Sequence, residues 1–219
     1  MECKFLVIWG ENLSSTAKEK FNRTELAIVK LPNNIKHVVI GLVLSDGWLE
    51  HRRKNARLGF AQSLDHFEYI WFVFSLLSHY CSSYPMARNR TTINKKKSAI
   101  QIYTRSMPCF TELYSFFYPN GVKIIPDNIY NMLTPIALAH LIMGDAAALK
   151  YRLLICTDSY SIKDVVKLMN VLIIKYRLEC SCYNPLTKPR IYIRSQSMPI
   201  LRDVVKPYMT KSMLYKIGL

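Results

Sequence analysis

Acidic residues are scarce in this chain. Fifteen Asp and Glu stand against 30 Lys and Arg, a net charge of +15 over 219 residues. An excess of this size implies a polyanionic partner, either nucleic acid or an acidic membrane. Bilayer-length apolar runs are also missing. Runs such as YIWFVFSLL and VLII fall well below the roughly 20 residues that span a membrane. The opening MECKFLVIWGENLSST has early acids and too short an apolar part for a secretory signal, and it lacks the arginine of a transit peptide. The six cysteines are scattered, and only Cys180 and Cys182 are close. That leaves no second pair for a zinc site, so the thiols are expected to be ordinary packed ones in a reducing compartment.

What is present suffices for a large core: half the residues are apolar and 12% are aromatic. There is no low-complexity tract, so the chain is not a disordered polyelectrolyte.

The organisation is a duplication. VIGLVLSDGWLEHRR and LAHLIMGDAAALKYR each run from an apolar stretch into an aspartate, Asp46 and Asp145. Downstream, QIYTRSMPCFTELYSFFYP and RIYIRSQSMPILRDVVKPY share I-Y-x-R-S, an S-M-P and an apolar helical pattern. Lys123 then precedes IIP in the first half and Lys216 precedes IG in the second. The spacing is too long for a solenoid and suits two copies of one α/β unit related by a pseudo-twofold axis.

Within each copy the acid is followed by a hairpin, as in GWLEHRRKNARLGFAQS. DHFEYIWFVFSLLSHY is apolar on most sides and reads as a buried helix. SIKDVVKLMNVLIIKY carries a helical stripe, with Ser161 and Asp164 as a capping box. Second hairpins are expected near 87–106 and 179–195, with NRTTINKKK and NPLTKP as their turns. The domain plan is a lead-in over 1–23, a first unit over 24–119, a Gly- and Pro-containing junction over 120–133 and a second unit over 134–219.

An acid at a helix C-terminus is opposed by the macrodipole, and here it occurs twice at matching places. Small residues such as Gly41 and Ser45 on one helix and Ala139 and Gly144 on the other would let the helix backbones approach closely. His140 is expected to sit at the rim of that contact. Pseudo-symmetry would then bring Asp46 and Asp145 together, where their repulsion is relieved by a hard divalent cation with oxygen ligands, Mg²⁺ above all.

These two stretches resemble the paired LAGLIDADG motifs of monomeric homing endonucleases. LTPIALAHLIMGD, LLICTDSYS and KPYMTKSMLYKIG are similar to phrases of the group I intron-encoded enzymes of fungal mitochondria, and the likeness covers the chain from about residue 24 onward. The resemblance implies an α+β fold: two pseudo-twofold-related αββαββα units, packed through the motif helices, whose antiparallel sheets form a DNA-binding saddle. It implies hydrolysis of both strands of a long specific double-stranded DNA site by a monomer using Mg²⁺ or Mn²⁺, with Ca²⁺ binding without supporting cleavage. Asp46 and Asp145 would hold the metal, and Lys123 and Lys216 would order water or stabilise charge on the leaving phosphate. A mitochondrial location is implied in the same way, and no membrane partner.

For the DNA surface, the hairpins supply Arg52, Arg53, Lys54 and Arg57, then Lys150 and Arg152. Alternation would line up Gln101, Tyr103 and Arg105 on one strand face and Arg190, Tyr192 and Arg194 on the other, as base-edge readers. Lys95, Lys96 and Lys97 fit phosphate contacts, and Lys188 is counted with the DNA-binding residues. Two features bear on activity. Ala146 stands where the motif expects glycine, which predicts backbone strain beside the second acid if that position needs a positive φ. A basic surface also serves RNA, so the alternative is a maturase that assists splicing of its own group I intron, with nuclease activity reduced or lost.

Overall fold

The computed structural model describes residues 16–92, 95–184, 186 and 188–219, and the side chains of residues 89–92 and 95–97 lie outside that description. The expected lead-in is therefore described only from Thr16 onward.

The element order repeats. A short helix α1 (Arg23–Ile28) opens the described chain on a capping box, in which Asn22 accepts from the Glu25 amide and Glu25 accepts from the Asn22 amide. There follow α2 (Asn33–Leu44), β1 (Trp48–Arg52), β2 (Asn55–Ser63), α3 (Phe67–Leu77), β3 (Met86–Thr92), β4 (Lys95–Tyr103) and α4 (Pro108–Phe117). After the short α5 (Ile129–Met132) the series recurs as α6 (Pro135–Asp145), β5 (Ala146–Leu149), β6 (Arg152–Cys156), α7 (Ile162–Tyr176), β7 (Cys180–Tyr183), β8 (Arg190–Ile193) and α8 (Met198–Val205). Each series is αββαββα. Each sheet is antiparallel with its central pair formed by the second and fourth strands, in the orders β1-β2-β4-β3 and β5-β6-β8-β7.

Contacts divide the chain into two compact units. One holds the chain up to Lys36 with Asp46–Ser115; the other holds His37–Ser45 with Phe116–Leu219. Most of α2, the first motif helix, therefore packs with the second unit, against α6.

That packing explains why α6 and the second half of α2 are apolar around their whole circumference. Val39 to Leu44 are buried apart from the glycine's missing side chain, and Ala137 through Met143 are all buried. A Cβ on Gly41 would lie 2.4 Å from the Ala137 carbonyl oxygen and 2.6 Å from His140 Cβ, so only glycine permits this approach. His140 is not at a rim: it is 1% exposed, and burial pushes its imidazole pKa down to about 3.

Each sheet turns alternate residues inward. Leu58, Phe60, Ile100 and Ile102 line the first core; Leu153, Ile155, Ile191 and Ile193 line the second. Helix α7 begins as the sequence indicates. The Ser161 hydroxyl accepts from the Asp164 amide and donates to its carboxylate, 2.8 Å away. Two expectations need correction. The second hairpin of the first unit keeps its strands through residues 86–92 and 95–103, so the three lysines stand in β4 rather than in a turn. Helix α3 is not buried on most sides: Phe67 and Trp71 remain exposed along one face. No helix among the described residues is long and apolar enough to cross a membrane.

Candidate functional site

The two motif helices end in the same device. At the end of α2 the Ser45 hydroxyl donates back to the Gly41 carbonyl at 3.1 Å, and the Tyr160 hydroxyl donates to the Leu44 carbonyl at 3.1 Å. Lys123 Nζ donates to the Ser45 carbonyl at 3.1 Å. At the end of α6, Lys216 Nζ donates to the Gly144 carbonyl at 2.7 Å. In both cases the carbonyl belongs to the residue immediately before the acid. A helix C-terminus leaves its last carbonyls without amide partners and carries partial negative charge, so an ammonium there satisfies the acceptor and offsets the dipole. It also brings positive charge beside the backbone of Asp46 and Asp145. Lys216 is buried and Lys123 half-buried. Burial, followed by nearby Tyr118 and Asp145, holds the Tyr160 phenol well above its usual pKa, so it stays a donor.

The acids themselves stand in different surroundings. Asp46 is exposed. Its Oδ2 accepts from Gln62 Nε2 at 2.5 Å, and Gln62 Oε1 lies 3.0 Å from His66 Nδ1. Gln62 is inward-facing and buried at the end of β2, and a cleft of about 530 Å³ opens beside it, lined by Asp46, Trp48, Ala61, Gln62, Ser63, Arg88 and Ala99. Asp145, the last residue of α6, is half-buried. Its neighbourhood shows in the thiol of Cys156, whose pKa burial raises first; Arg190 and Lys216 lower it, and Asp158 and Asp145 raise it. Sheet register makes Ala61 and Cys156 equivalent, since they pair with Gln101 and Arg190, the residues before each I-Y. The position after them is Gln62 in one unit and Thr157 in the other, and Thr157 is buried with its hydroxyl on the Pro189 carbonyl at 2.6 Å.

Ala146 carries no strain. It begins β5 with φ −89° and ψ 146°, ordinary extended backbone. Among the described residues the glycines with positive φ are Gly121 and Gly218, outside both motifs. The positive φ on which an expectation of strain depended is thus not found at this alanine.

The outward faces of the sheets carry most of the expected DNA-contacting residues, several already engaged. In the first unit Arg57 is ion-paired with Glu50 and lies 4.0 Å from the Tyr103 ring centroid, and Arg52 also meets Glu50 at 3.3 Å. Arg53 and Lys54 form the exposed hairpin turn, with Arg53 in the left-handed region at φ 55°. Gln101 accepts from Arg88 at 3.3 Å, and Trp48 packs edge-on against Tyr103. Lys95, Lys96 and Lys97 belong to β4, but their side chains lie outside the described residues. In the second unit Lys150 and Lys188 are exposed, and Arg152 donates to the Tyr192 hydroxyl. Arg190 holds Asp158 with two bonds, at 2.6 and 2.7 Å, and Arg194 lies 3.5 Å from Glu179.

Arg105 needs correction. It lies beyond the end of β4, and its guanidinium donates to the carbonyls of Cys81 and Thr16 at 2.6 Å and of Glu19 at 3.0 Å, while stacking 4.5 Å above Phe21. Those bonds fasten residues 16–21 to the first unit and leave the fork no free edge for a base. Three residues escaped the sequence reading: Gln62, His66 and Arg88. Arg88 was open to it, as a basic residue in an alternating strand beside the expected readers. No short-range pattern marks Gln62 as the partner of an acid sixteen positions away.

Comparison with known proteins agrees with this architecture. The chain belongs to the LAGLIDADG DNA endonuclease family, whose model matches residues 36–201. It is 30% identical to the cytochrome b mRNA maturase bI2 of Debaryomyces hansenii over 96% of this chain and 84% of that protein. It is 34% identical to the protein of the same name from Saccharomyces cerevisiae, over 94% of this chain but only 52% of that longer one. Among solved structures, the homing endonuclease I-WcaI bound to its DNA recognition sequence superposes with a TM-score of 0.80 at 26% identity, covering 86% of this chain and 87% of that one.

Proposed function

We propose that this protein is an intron-encoded, site-specific DNA endonuclease that hydrolyses both strands of a long target, using divalent metal held through Asp46 and Asp145. The observation that carries the reading is the repeated motif end, an acid whose preceding carbonyl is capped by a lysine ammonium, Lys123 in one case and Lys216 in the other.

Each acid brings one carboxylate, and among the described residues no three His, Cys, Asp or Glu gather into a cage. That donor set suits Mg²⁺ or Mn²⁺, which keeps its waters and completes its shell with substrate phosphates, and does not suit zinc. When bound, the ion supplies Lewis-acid polarisation and a water of lowered pKa. The chain's own groups do the rest. Asp46 and Asp145 hold the cation, Gln62 fixes the Asp46 carboxylate, and Lys123 and Lys216 keep positive charge where the leaving phosphate gains negative charge. Arg57, Gln101 and Tyr103 on one sheet, and Arg152, Arg190 and Tyr192 on the other, grip the DNA. The superposition on a DNA-bound homing endonuclease supports a double-stranded target. A monomer working in the mitochondrion belongs to the same reading.

The test is cleavage of a DNA library built from intron-free organellar genes, with Mg²⁺ and with Ca²⁺, followed by sequencing of the ends. Short 3′ overhangs at one sequence, with Mg²⁺ alone, are expected. Binding without cutting would count against the nuclease.

A second reading has specific support: the two yeast relatives with near-complete coverage of this chain are named cytochrome b mRNA maturases. A maturase would promote splicing of its intron transcript with Asp46 and Asp145 both changed to Asn. Loss of splicing in that double variant would tie any maturase role to the nuclease site.

A further inference from the structure

The side chains around Asp46 form a directed chain of donors, and its far end is a histidine that no role above requires. A carboxylate only accepts hydrogen bonds. With Asp46 ionised, the Gln62 amide must therefore turn its NH₂ toward Oδ2, the contact made at 2.5 Å. That choice sends Oε1 to the other side, where His66 Nδ1 lies 3.0 Å away. An amide oxygen also only accepts, so His66 must present a proton on Nδ1. Both the Nδ1–H tautomer and the imidazolium do so. The polarity of the whole chain, His66 to Gln62 to Asp46, is fixed by which atoms can donate.

Local structure holds the histidine in place. Ser63 caps the turn Leu64–His66, accepting from the Asp65 amide and donating to its carboxylate at 3.1 Å. The turn puts His66 four residues past Gln62, at the start of α3. Gln62 is 8% exposed, so its amide has little water to fall back on if the wrong end faces Asp46. In the second unit Thr157 occupies the Gln62 position and spends its hydroxyl on the Pro189 carbonyl.

We infer that His66 is a positioning residue for the first acid: by donating to Gln62 Oε1 it locks the amide in the one orientation that directs an N–H to Asp46, and so sets the carboxylate for a divalent cation. The inference rests on the metal-binding role proposed for Asp46. Partners of this kind, one step removed from a metal ligand, typically change metal affinity by about 10- to 100-fold when lost.

The test replaces the donor by groups of chosen polarity in the full chain. His66→Asn keeps an N–H near the Nδ1 position, whereas His66→Asp offers an acceptor only and favours the flipped amide. Ca²⁺ affinity of the protein bound to target DNA, measured by calorimetry, reads the effect without any turnover. Thermal melting and DNA affinity measured alongside show that the variants fold. Weakening by about tenfold in His66→Asp, with His66→Asn within about threefold of the parent, is expected. Ca²⁺ binding by His66→Asp as tight as the parent's, or tighter, would overturn the inference. So would equal weakening in both variants, since that would mean only the volume of the ring matters. Asp46→Asn separates the levels: if it leaves Ca²⁺ affinity unchanged, the metal role of Asp46 fails; if it weakens binding while His66→Asp does not, only the relay fails.

Discussion

Gly41 and His140 hold matching places in the two motifs, five residues before each acid, and they face one another in the packed structure. One motif helix offers the smallest residue and the other a bulky imidazole, so duplicated sequences have diverged into complementary shapes. The motif ends show the reverse pattern. There the lysine-to-carbonyl contact is kept in both units, while the surroundings of the carboxylates differ: Gln62 and His66 beside Asp46, but Thr157, Cys156 and the Asp158–Arg190 pair near Asp145. What is shared between the copies is the charge arrangement at the backbone. What differs is how each acid is held.

This comparison can be broken in several ways. The largest effect should come at the helix contact. Gly41→Ala places a methyl against the Ala137 carbonyl and is expected to cost about 3 kcal/mol in chemical denaturation, because backbone must move to admit it. If the contact tolerated alanine within a few tenths of a kcal/mol, the close approach would be wrong.

Next come the two lysines. Lys123→Met and Lys216→Met should each slow cleavage about 100-fold with DNA affinity largely kept, the scale of losing one preorganised charge contact. Unequal losses would mean that the shared device does unequal work.

The buried imidazole predicts a pH effect of defined sign. His140 takes up a proton in the unfolded chain below about pH 6.5, but in the folded protein only near 3. Its contribution is intact above about 6.5 and is lost as pH falls, by about 1.4 kcal/mol per unit down to about 3. Stability should thus drop by about 2 kcal/mol between pH 7 and pH 5 through this residue. His140→Gln should lack that component, which urea titrations at the two pH values would reveal.

The smallest effect should be at the second motif's alanine. Ala146→Gly relieves no strain, since the residue is already extended, and should leave cleavage of both strands within about twofold while costing up to about 1 kcal/mol of stability. A marked gain in cutting one strand would show that alanine does impair that site.

Much of this architecture was legible before any coordinates, because a repeat is read by comparing the chain with itself. Two acids, two I-Y-x-R-S strands and two late lysines marked the repeat, the resemblance to the LAGLIDADG family supplied the αββαββα order, and both lysines do end beside the residue preceding an acid. Arg105 shows where that method stops. It belongs to the same I-Y-x-R-S phrase as Arg194, yet β4 ends at Tyr103 and the guanidinium closes on carbonyls as far away in sequence as Thr16, 89 positions earlier. Equivalence within a repeat predicted the strand but not the partner. Gln62 was hidden for a related reason. Its importance lies in a contact across a turn, and a lone glutamine at a strand end carries no periodic signal. The packing of α2 against α6, by contrast, was expected from the small residues of the two motifs, although the sequence order puts α2 in the first copy.

The central claim is that the two motif acids are the chemical groups of a nuclease. It is met most directly by measuring strand-resolved cleavage and DNA affinity of Asp46→Asn and Asp145→Asn on the cognate target with Mg²⁺. The account predicts that double-strand cleavage is abolished in both variants while DNA affinity stays within a few-fold of the parent. Full cleavage of both strands by either variant would contradict it.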